Sequence, residues 1–293
     1  PTAVGKTALS IRLAKHFNCP VISADSRQVF KELAIGTAKP TKTELQGIQH
    51  FFIDDRPLTA SFSAGHFESE ALNVLSKEFE QHDVVLLVGG SGLYVEALCE
   101  GMSEFPAVDN EVRTQLKDRL DSEGLPTLQA ELKALDPTYF AQIDKDNPQR
   151  VVRALEVCLS SGKTFSELRT GASAPRDFDV LYVGLELPRE MLYDRINSRM
   201  DAMVADGLFE EAMSVQPFRA VNALQTIGYK EIYDYLDGKY DRDEAIRLLK
   251  RNSRRFAKRQ LTWFKKNERV KWFDPADAEE IIVYLDSKLS SKT

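Results

Sequence analysis

Apolar positions along the chain alternate between two periods. Leu9, Leu13 and Phe17 recur at helical spacing over Ala8 to Phe17. Pro20 to Ala24 (Pro-Val-Ile-Ser-Ala) is a short buried-strand pattern that ends in Asp25-Ser26. Ala64 to Glu80 reads as a helix, and His82 to Gly90 as a second strand with an uninterrupted apolar run. Such a run suits a parallel strand covered on both faces. Strand alternating with helix predicts an α/β fold with a parallel sheet, and ligands then sit beyond the carboxyl ends of the strands. Asp25 and Gly89-Gly90-Ser91 fall on that rim.

From Ala107 onward the pattern is helical only. Asp109 caps a helix to Ser122, Leu125 to Leu135 forms another, and Asn147-Pro148 opens a third that stops at Gly162. Gly171 to Pro175 reads as a loop of small residues, Phe178 to Leu187 as a returning strand, and the chain after Pro188 as helix almost throughout. The predicted division is a core over 1–106, an all-helical insertion over 107–176, and a return strand with C-terminal helices over 177–293.

Charge changes this picture in one place. The net charge is −6. Between Arg247 and Lys266 there are nine basic residues and no acidic one, so the rest of the chain carries −15. The basic residues at 247, 250/251, 254/255 and 258/259 share one helix face, with Leu249, Phe256 and Trp263 expected to pack the other way. A like-charged stripe on an acidic protein predicts a polyanion partner. The three cysteines are widely spaced and the four histidines do not cluster. That predicts reduced thiols of a cytoplasmic protein and no transition metal. No apolar run approaches the roughly 20 residues of a membrane helix.

The chemistry begins at the first residue. Thr2-Ala3-Val4-Gly5-Lys6-Thr7 matches a phosphate-binding loop, Gly-x-x-x-x-Gly-Lys-Thr, whose opening Gly and preceding strand are expected before Pro1. Its amides and the following helix cradle a di- or triphosphate, Lys6 adds charge, and the Thr7 hydroxyl is placed to hold Mg²⁺. Nucleotide and ATP binding are the ordinary uses of such a loop. A motor ATPase or GTPase, however, carries a carboxylate at the end of a nearby apolar strand. Here that strand ends Val88-Gly89-Gly90-Ser91-Gly92, and its glycines are expected to admit a ligand close to the backbone. Asp25 is the rim carboxylate, and three roles stay open for it: metal ligand, general base or helix cap.

Several blocks follow in order: Ser23-Ala24-Asp25-Ser26-Arg27-Gln28, Gly36-Thr37-Ala38-Lys39-Pro40, Val88-Gly89-Gly90-Ser91-Gly92-Leu93-Tyr94, Asp146 to Glu156, Ile227-Gly228-Tyr229 and Arg259-Gln260-Leu261-Thr262-Trp263. With the phosphate loop, they resemble the tRNA dimethylallyltransferases (tRNA isopentenyltransferases) of bacterial type over nearly the whole chain. The resemblance implies a fold like that of the P-loop NTPases. It also implies transfer of a dimethylallyl group from dimethylallyl diphosphate to N6 of adenosine 37 in tRNA, with Mg²⁺, by a monomer. It assigns the base to Asp25 and diphosphate contacts to Thr2, Ala3, Val4, Gly5, Lys6, Thr7 and Arg199. The tRNA anticodon stem-loop would meet Asp25, Ser26, Arg27, Gln28, Ser91, Arg113, Gln149, Arg150, Arg153, Gly228, Tyr229, Lys230, Lys258, Arg259 and Gln260, with the helical insertion closing over it. Two departures stand out: Ser91 replaces a usual Thr, and Lys230 replaces a usual Arg. The rival readings are an isopentenyltransferase of free adenine nucleotides, a P-loop small-molecule kinase, and a non-catalytic RNA-binding protein of the same fold.

Overall fold

The computed structural model describes residues 1–103, 105–106, 108–169 and 175–291. The loop expected over Gly171 to Pro175 lies almost wholly outside them. The described chain forms two compact units, one of residues 1–99 and 176–293, the other of residues 100–175.

In the first unit the phosphate loop runs directly into α1 (Lys6–His16). β1 (Val21–Ala24) follows, buried along its whole length. Then come α2 (Lys42–Leu45), β2 (His50–Phe51), α3 (Ala64–Glu78), β3 (Leu86–Gly89) and α4 (Gly92–Glu100). β1 lies between β2 and β3, parallel to both, with Ala24 opposite Gly89. That register brings the end of β1, and hence Asp25, level with the Gly89-Gly90-Ser91 turn.

The second unit is helical: α5 (Asn110–Glu123), α6 (Leu125–Leu135), α7 (Pro137–Gln142), α8 (Pro148–Ser161) and α9 (Phe165–Leu168). Asp109 and Asn147 cap α5 and α8 by accepting from the first-turn amides, as their residue types favour. Leu116, Leu128, Leu132, Val151, Ala154 and Leu155 close its core. Buried Asp136 accepts from Tyr139 N, Ser166 N and Ser166 Oγ at 2.8–2.9 Å, so its charge is fully hydrogen-bonded.

The chain re-enters the first unit at Arg176. Its guanidinium donates to the Leu98 and Ala97 carbonyls at the end of α4 and pairs with Glu68 of α3. The remaining elements are β4 (Val183–Leu185), α10 (Arg189–Ala205), α11 (Leu208–Ser214), α12 (Tyr229–Leu236), α13 (Arg242–Phe264), β5 (Lys271–Phe273) and α14 (Ala278–Ser290). One core joins Leu9 and Leu13 of α1 to Leu185, Leu192, Ile196, Ala257, Phe273 and Ile281.

Three expectations need correction. The single parallel sheet is in two pieces, β2-β1-β3 and β4-β5. β3 begins only at Leu86 and is half-buried, because an apolar slot of about 270 Å³ lined by Leu86, Leu87, Val183, Leu185 and Trp272 runs beside it. β5, in a stretch read as helix, is a three-residue strand too short to show a period.

Candidate active site

The phosphate loop is shaped by two left-handed residues, Ala3 at φ +60° and Gly5 at φ +108°. Gly5 is the N-cap of α1 and supplies no side-chain acceptor, so the first-turn amides stay open to an anion. Lys6 donates to the Pro1 carbonyl at 2.8 Å. Burial pushes its ammonium down to about 8, against the pull of Asp25 and with help from the Arg199 charge. An ammonium so stripped of water is poised to regain its full charge beside a polyanion. The Thr7 hydroxyl makes no hydrogen bond among the described residues and faces the same cavity, of about 970 Å³, which also takes in Asp25, Arg195 and Arg199.

Asp25 follows β1. Its Oδ1 accepts from the Arg27 amide at 2.9 Å and the Gln28 amide at 3.3 Å, while Oδ2 accepts nothing among the described residues. No helix starts within reach of Asp25 among the described residues, so of the three open roles the helix cap falls away: one oxygen closes the turn at residues 25–28, and the other remains available. Asp25 also borders a second cavity of about 560 Å³. Thr2, Ala3, Thr37, Ala38, Gly90, Arg199, Phe256 and Gln260 border both, so the two spaces meet around the carboxylate.

Arg199 reaches this junction from α10. Burial lowers the pKa of its guanidinium and the Asp25 and Glu44 charges raise it, yet it has no carboxylate within ion-pair distance among the described residues. A half-buried guanidinium with no carboxylate in reach favours an anionic ligand. The Arg27 guanidinium is likewise desolvated and, among the described residues, donates only to the Ser26 carbonyl and to Asn222 Oδ1, at 3.1 and 3.3 Å. Gln28 gives its amide protons to the Thr37 and Ala38 carbonyls. Ser91 Oγ accepts from the Ser26 amide at 3.0 Å and donates to Ser26 Oγ.

The glycines at the end of β3 line the cavities and also pack closely against the protein. A Cβ on Gly89 would overlap the Ala24 carbonyl, one on Gly90 the Gln260 amide, and one on Gly92 the Trp263 indole. Close backbone approach is thus made by β1 and by two side chains of α13.

α13 carries the basic residues, and its buried face is Ala245, Leu249, Ser253, Ala257 and Gln260. Phe256 and Trp263 are not on it: they stay 38 and 39 % exposed and line the cavity beside Arg259. The stripe is also partly neutralised by acids from outside the segment. Arg247 pairs with Glu244, Lys250 with Asp201 and Lys265 with Glu186, and Arg254 donates to Asn197. Arg255, Lys258 and Lys266 have no such partner among the described residues.

Gln260 and Tyr229 are not at a surface. Gln260 is 7 % exposed and uses both ends of its amide on Thr2 and Gly90. Tyr229 is fully buried, packs under Gly36 and donates to Glu211 Oε1 at 2.7 Å. Gly228, at φ +106°, donates its amide to buried Glu231, and Lys230 is exposed. In the helical unit, Arg113 and Arg153 converge on Glu156 at 3.3 and 3.2 Å, and Gln149 and Arg150 lie exposed at the start of α8. Sequence reasoning gave no role to Asn222, Phe62, Met203, Leu208 or Glu211. The first four line the cavity, and nothing in their local spacing distinguishes them from ordinary core or loop residues.

The sequence profile of the IPP transferase family matches residues 28–267. The chain is 53 % identical to a tRNA dimethylallyltransferase of Cytophaga hutchinsonii, over 99 % of this chain and 95 % of that one. It is 48 % identical to tRNA dimethylallyltransferase 1 of Bacteroides fragilis, over 99 and 96 %. The fold is similar to the crystal structure of the tRNA isopentenylpyrophosphate transferase of Bacillus halodurans, with TM-score 0.74 and 40 % identity over 100 % of this chain and 95 % of that one. It is also similar to a eukaryotic dimethylallyltransferase whose crystallographic snapshots show it acting on tRNA, with TM-score 0.78 and 27 % identity over 94 and 72 %. A P-loop-like α/β fold, a desolvated lysine and arginine around one half-free carboxylate, and these likenesses agree: the chain belongs to the IPP transferase family.

Proposed function

We propose that the protein transfers a dimethylallyl group from dimethylallyl diphosphate to N6 of adenosine 37 in tRNA and releases diphosphate. The observation that carries this reading is Asp25, which borders both cavities with one carboxylate oxygen committed to backbone amides and the other unused. The diphosphate occupies the loop of Thr2 to Thr7, against the α1 amides, Lys6 and Arg199. The adenine enters from the side of Ser26, Arg27, Thr37 and Ala38. The exocyclic amine is a weak nucleophile because its lone pair is delocalised into the ring. As N6 bonds to C1 of the donor, the C1–O bond breaks and its electron pair leaves on diphosphate. The N6 proton passes to Asp25 Oδ2. Lys6, Arg199 and the loop amides stabilise the charge that develops on the leaving group.

Thr7 suits Mg²⁺. A lone unbonded hydroxyl beside a phosphate site, with no cluster of three His, Cys, Asp or Glu among the described residues, fits an ion held mainly by phosphate oxygens and water. When bound, the ion offsets diphosphate charge.

The tRNA anticodon loop must present an unstacked base to reach the carboxylate. Lys230, Lys258 and Arg259 of the first unit supply contacts to its backbone; the helical unit, by itself, carries Arg113, Gln149, Arg150 and Arg153 as further RNA contacts. Gln260 and Tyr229 hold the site from behind. The protein works as a monomer in the cytoplasm, where its substrate resides. No helix among the described residues is long and apolar enough to cross a membrane.

The reading is tested by offering the protein dimethylallyl diphosphate and Mg²⁺ with unmodified tRNA, with AMP, or with neither but with ATP. Prenylated adenosine in tRNA alone is the expected result. Product from AMP without tRNA, or phosphate transfer from ATP, would contradict it.

A further inference from the structure

The loop over residues 34–38 forms part of the acceptor cavity, through Gly36, Thr37 and Ala38. It has little regular structure of its own, and Ala38 sits in the left-handed region at φ +47°. The side chain of Glu211 holds its first three residues. Glu211, on α11, accepts from three successive backbone amides: Ala34 and Ile35 on Oε2 at 2.9 and 2.7 Å, and Gly36 on Oε1 at 2.8 Å. Oε1 also accepts from the Tyr229 hydroxyl at 2.7 Å. Four donors on one carboxylate form a complete shell, and charge-assisted bonds of this length are strong. Gly36 is required there, because a Cβ would lie 2.6 Å from the Tyr229 ring.

The loop in turn reaches Asp25. The Thr37 and Ala38 carbonyls accept both donors of the Gln28 side chain, and the Gln28 backbone amide donates to Asp25 Oδ1. A continuous path of hydrogen bonds therefore runs from Glu211 through the 34–38 loop and Gln28 to Asp25. Glu211 itself does not line either cavity.

We propose that Glu211 is a positioning residue for the transfer reaction: it fixes the 34–38 wall of the adenine site and, through Gln28, the aim of Asp25. This rests on the dimethylallyl-transfer reading above. Glu211→Gln is nearly isosteric but turns one acceptor oxygen into an NH₂ group that faces backbone N–H donors. Thr37 and Ala38 also border the donor cavity, but the Thr2 to Thr7 loop makes no hydrogen bond to residues 34–38 among the described residues, so its hold on the diphosphate is a built-in control.

The test uses the full chain in wild-type, Glu211→Gln, Tyr229→Phe and double-variant forms. Two readouts are taken: hydrogen exchange at Ala34, Ile35 and Gly36, and steady-state transfer to tRNA. Glu211→Gln is expected to lose protection at these amides and to lower kcat by about 100-fold, the scale of a misplacement of about 1 Å, with KM for dimethylallyl diphosphate within about twofold. Tyr229→Phe, which keeps the ring under Gly36, is expected to lower kcat by roughly fivefold, and the double variant to match Glu211→Gln, as residues of one network do. Unchanged exchange in Glu211→Gln overturns the anchor, and lost protection with wild-type kcat overturns the positioning role. If Glu211→Gln fails to fold, Tyr229→Phe decides: lowered kcat supports the role and wild-type kcat overturns it. Absence of transfer by the wild type itself overturns the functional reading and the positioning role with it, while the exchange data still report on the anchor.

Discussion

The Thr2 amide donates a 2.7 Å hydrogen bond to Gln260 Oε1, joining residues 258 positions apart. The same side chain donates from Nε2 to the Gly90 carbonyl at 2.9 Å. One amide on the basic helix thus fixes the start of the phosphate loop against the turn after β3. Gln260→Leu leaves both backbone groups unpaired, a loss of about 1–3 kcal/mol for each group left dry. Calorimetry with dimethylallyl diphosphate should show affinity weakened by about tenfold or more, with tRNA affinity little changed. Wild-type donor affinity would show that the tie does not shape the loop.

Two glycine substitutions should act in opposite directions. Gly89→Ala places a Cβ onto the Ala24 carbonyl, backbone against backbone, so β1 and β3 must separate at the level of Asp25. We expect a loss of about 1–3 kcal/mol in chemical denaturation. Gly65 lies in the first turn of α3, where a Cβ meets nothing nearer than 3.8 Å. Gly65→Ala should stabilise by about 0.5–1 kcal/mol. A neutral Gly89→Ala would mean the strand pairing is looser than the register implies.

Donor binding should be pH-dependent through Lys6. The free-protein ammonium is depressed to about 8, so it is charged below that pH and loses its proton above it. Bound diphosphate favours the charged form. Taken as a ratio to that of Lys6→Arg, in which the ligand's own ionisation is the same, the dissociation constant for inorganic diphosphate should therefore be flat near pH 7 and rise above pH 8, by up to about tenfold per unit. A flat ratio would contradict the desolvation of Lys6.

The basic helix predicts unequal effects of its charges on tRNA binding. Lys258→Ala removes a cation with no ion pair among the described residues. Lys250→Ala removes one already held by Asp201 at 2.6 Å. The slope of log affinity against log salt should fall by about 0.7–0.9 for Lys258→Ala and by much less for Lys250→Ala. Equal slopes for the two would mean that the ion pair opens on binding.

The phosphate loop, β1 with Asp25 at its end, and the capped helices of the second unit were legible because each rests on local spacing: a glycine-lysine-threonine before a helical period, an apolar run before a carboxylate, an Asp or Asn ahead of a Pro or helix. What was missed is set by partners distant in sequence. The role of Gly89, Gly90 and Gly92 depends on Ala24, Gln260 and Trp263. The neutralisation of Arg247, Lys250 and Lys265 depends on acids at 244, 201 and 186. Phe256 and Trp263 fall beside the buried face because α13 turns Ala257 and Gln260 inward, which the aromatic spacing alone does not reveal. Glu211 carries no motif, and its three amide partners are 175 to 177 positions away.

The most direct test of the account is mass spectrometry of digested tRNA after incubation with Mg²⁺, dimethylallyl diphosphate and either wild-type protein or Asp25→Asn. An asparagine at this position keeps an Oδ1 acceptor for the Arg27 and Gln28 amides, so the local turn survives while the proton acceptor is lost. The account predicts prenylated adenosine at position 37 with the wild type, and a rate lower by about 10²–10⁴-fold with Asp25→Asn, at unchanged tRNA and donor affinity. Full transfer by Asp25→Asn, or prenylation elsewhere in the RNA, would contradict it.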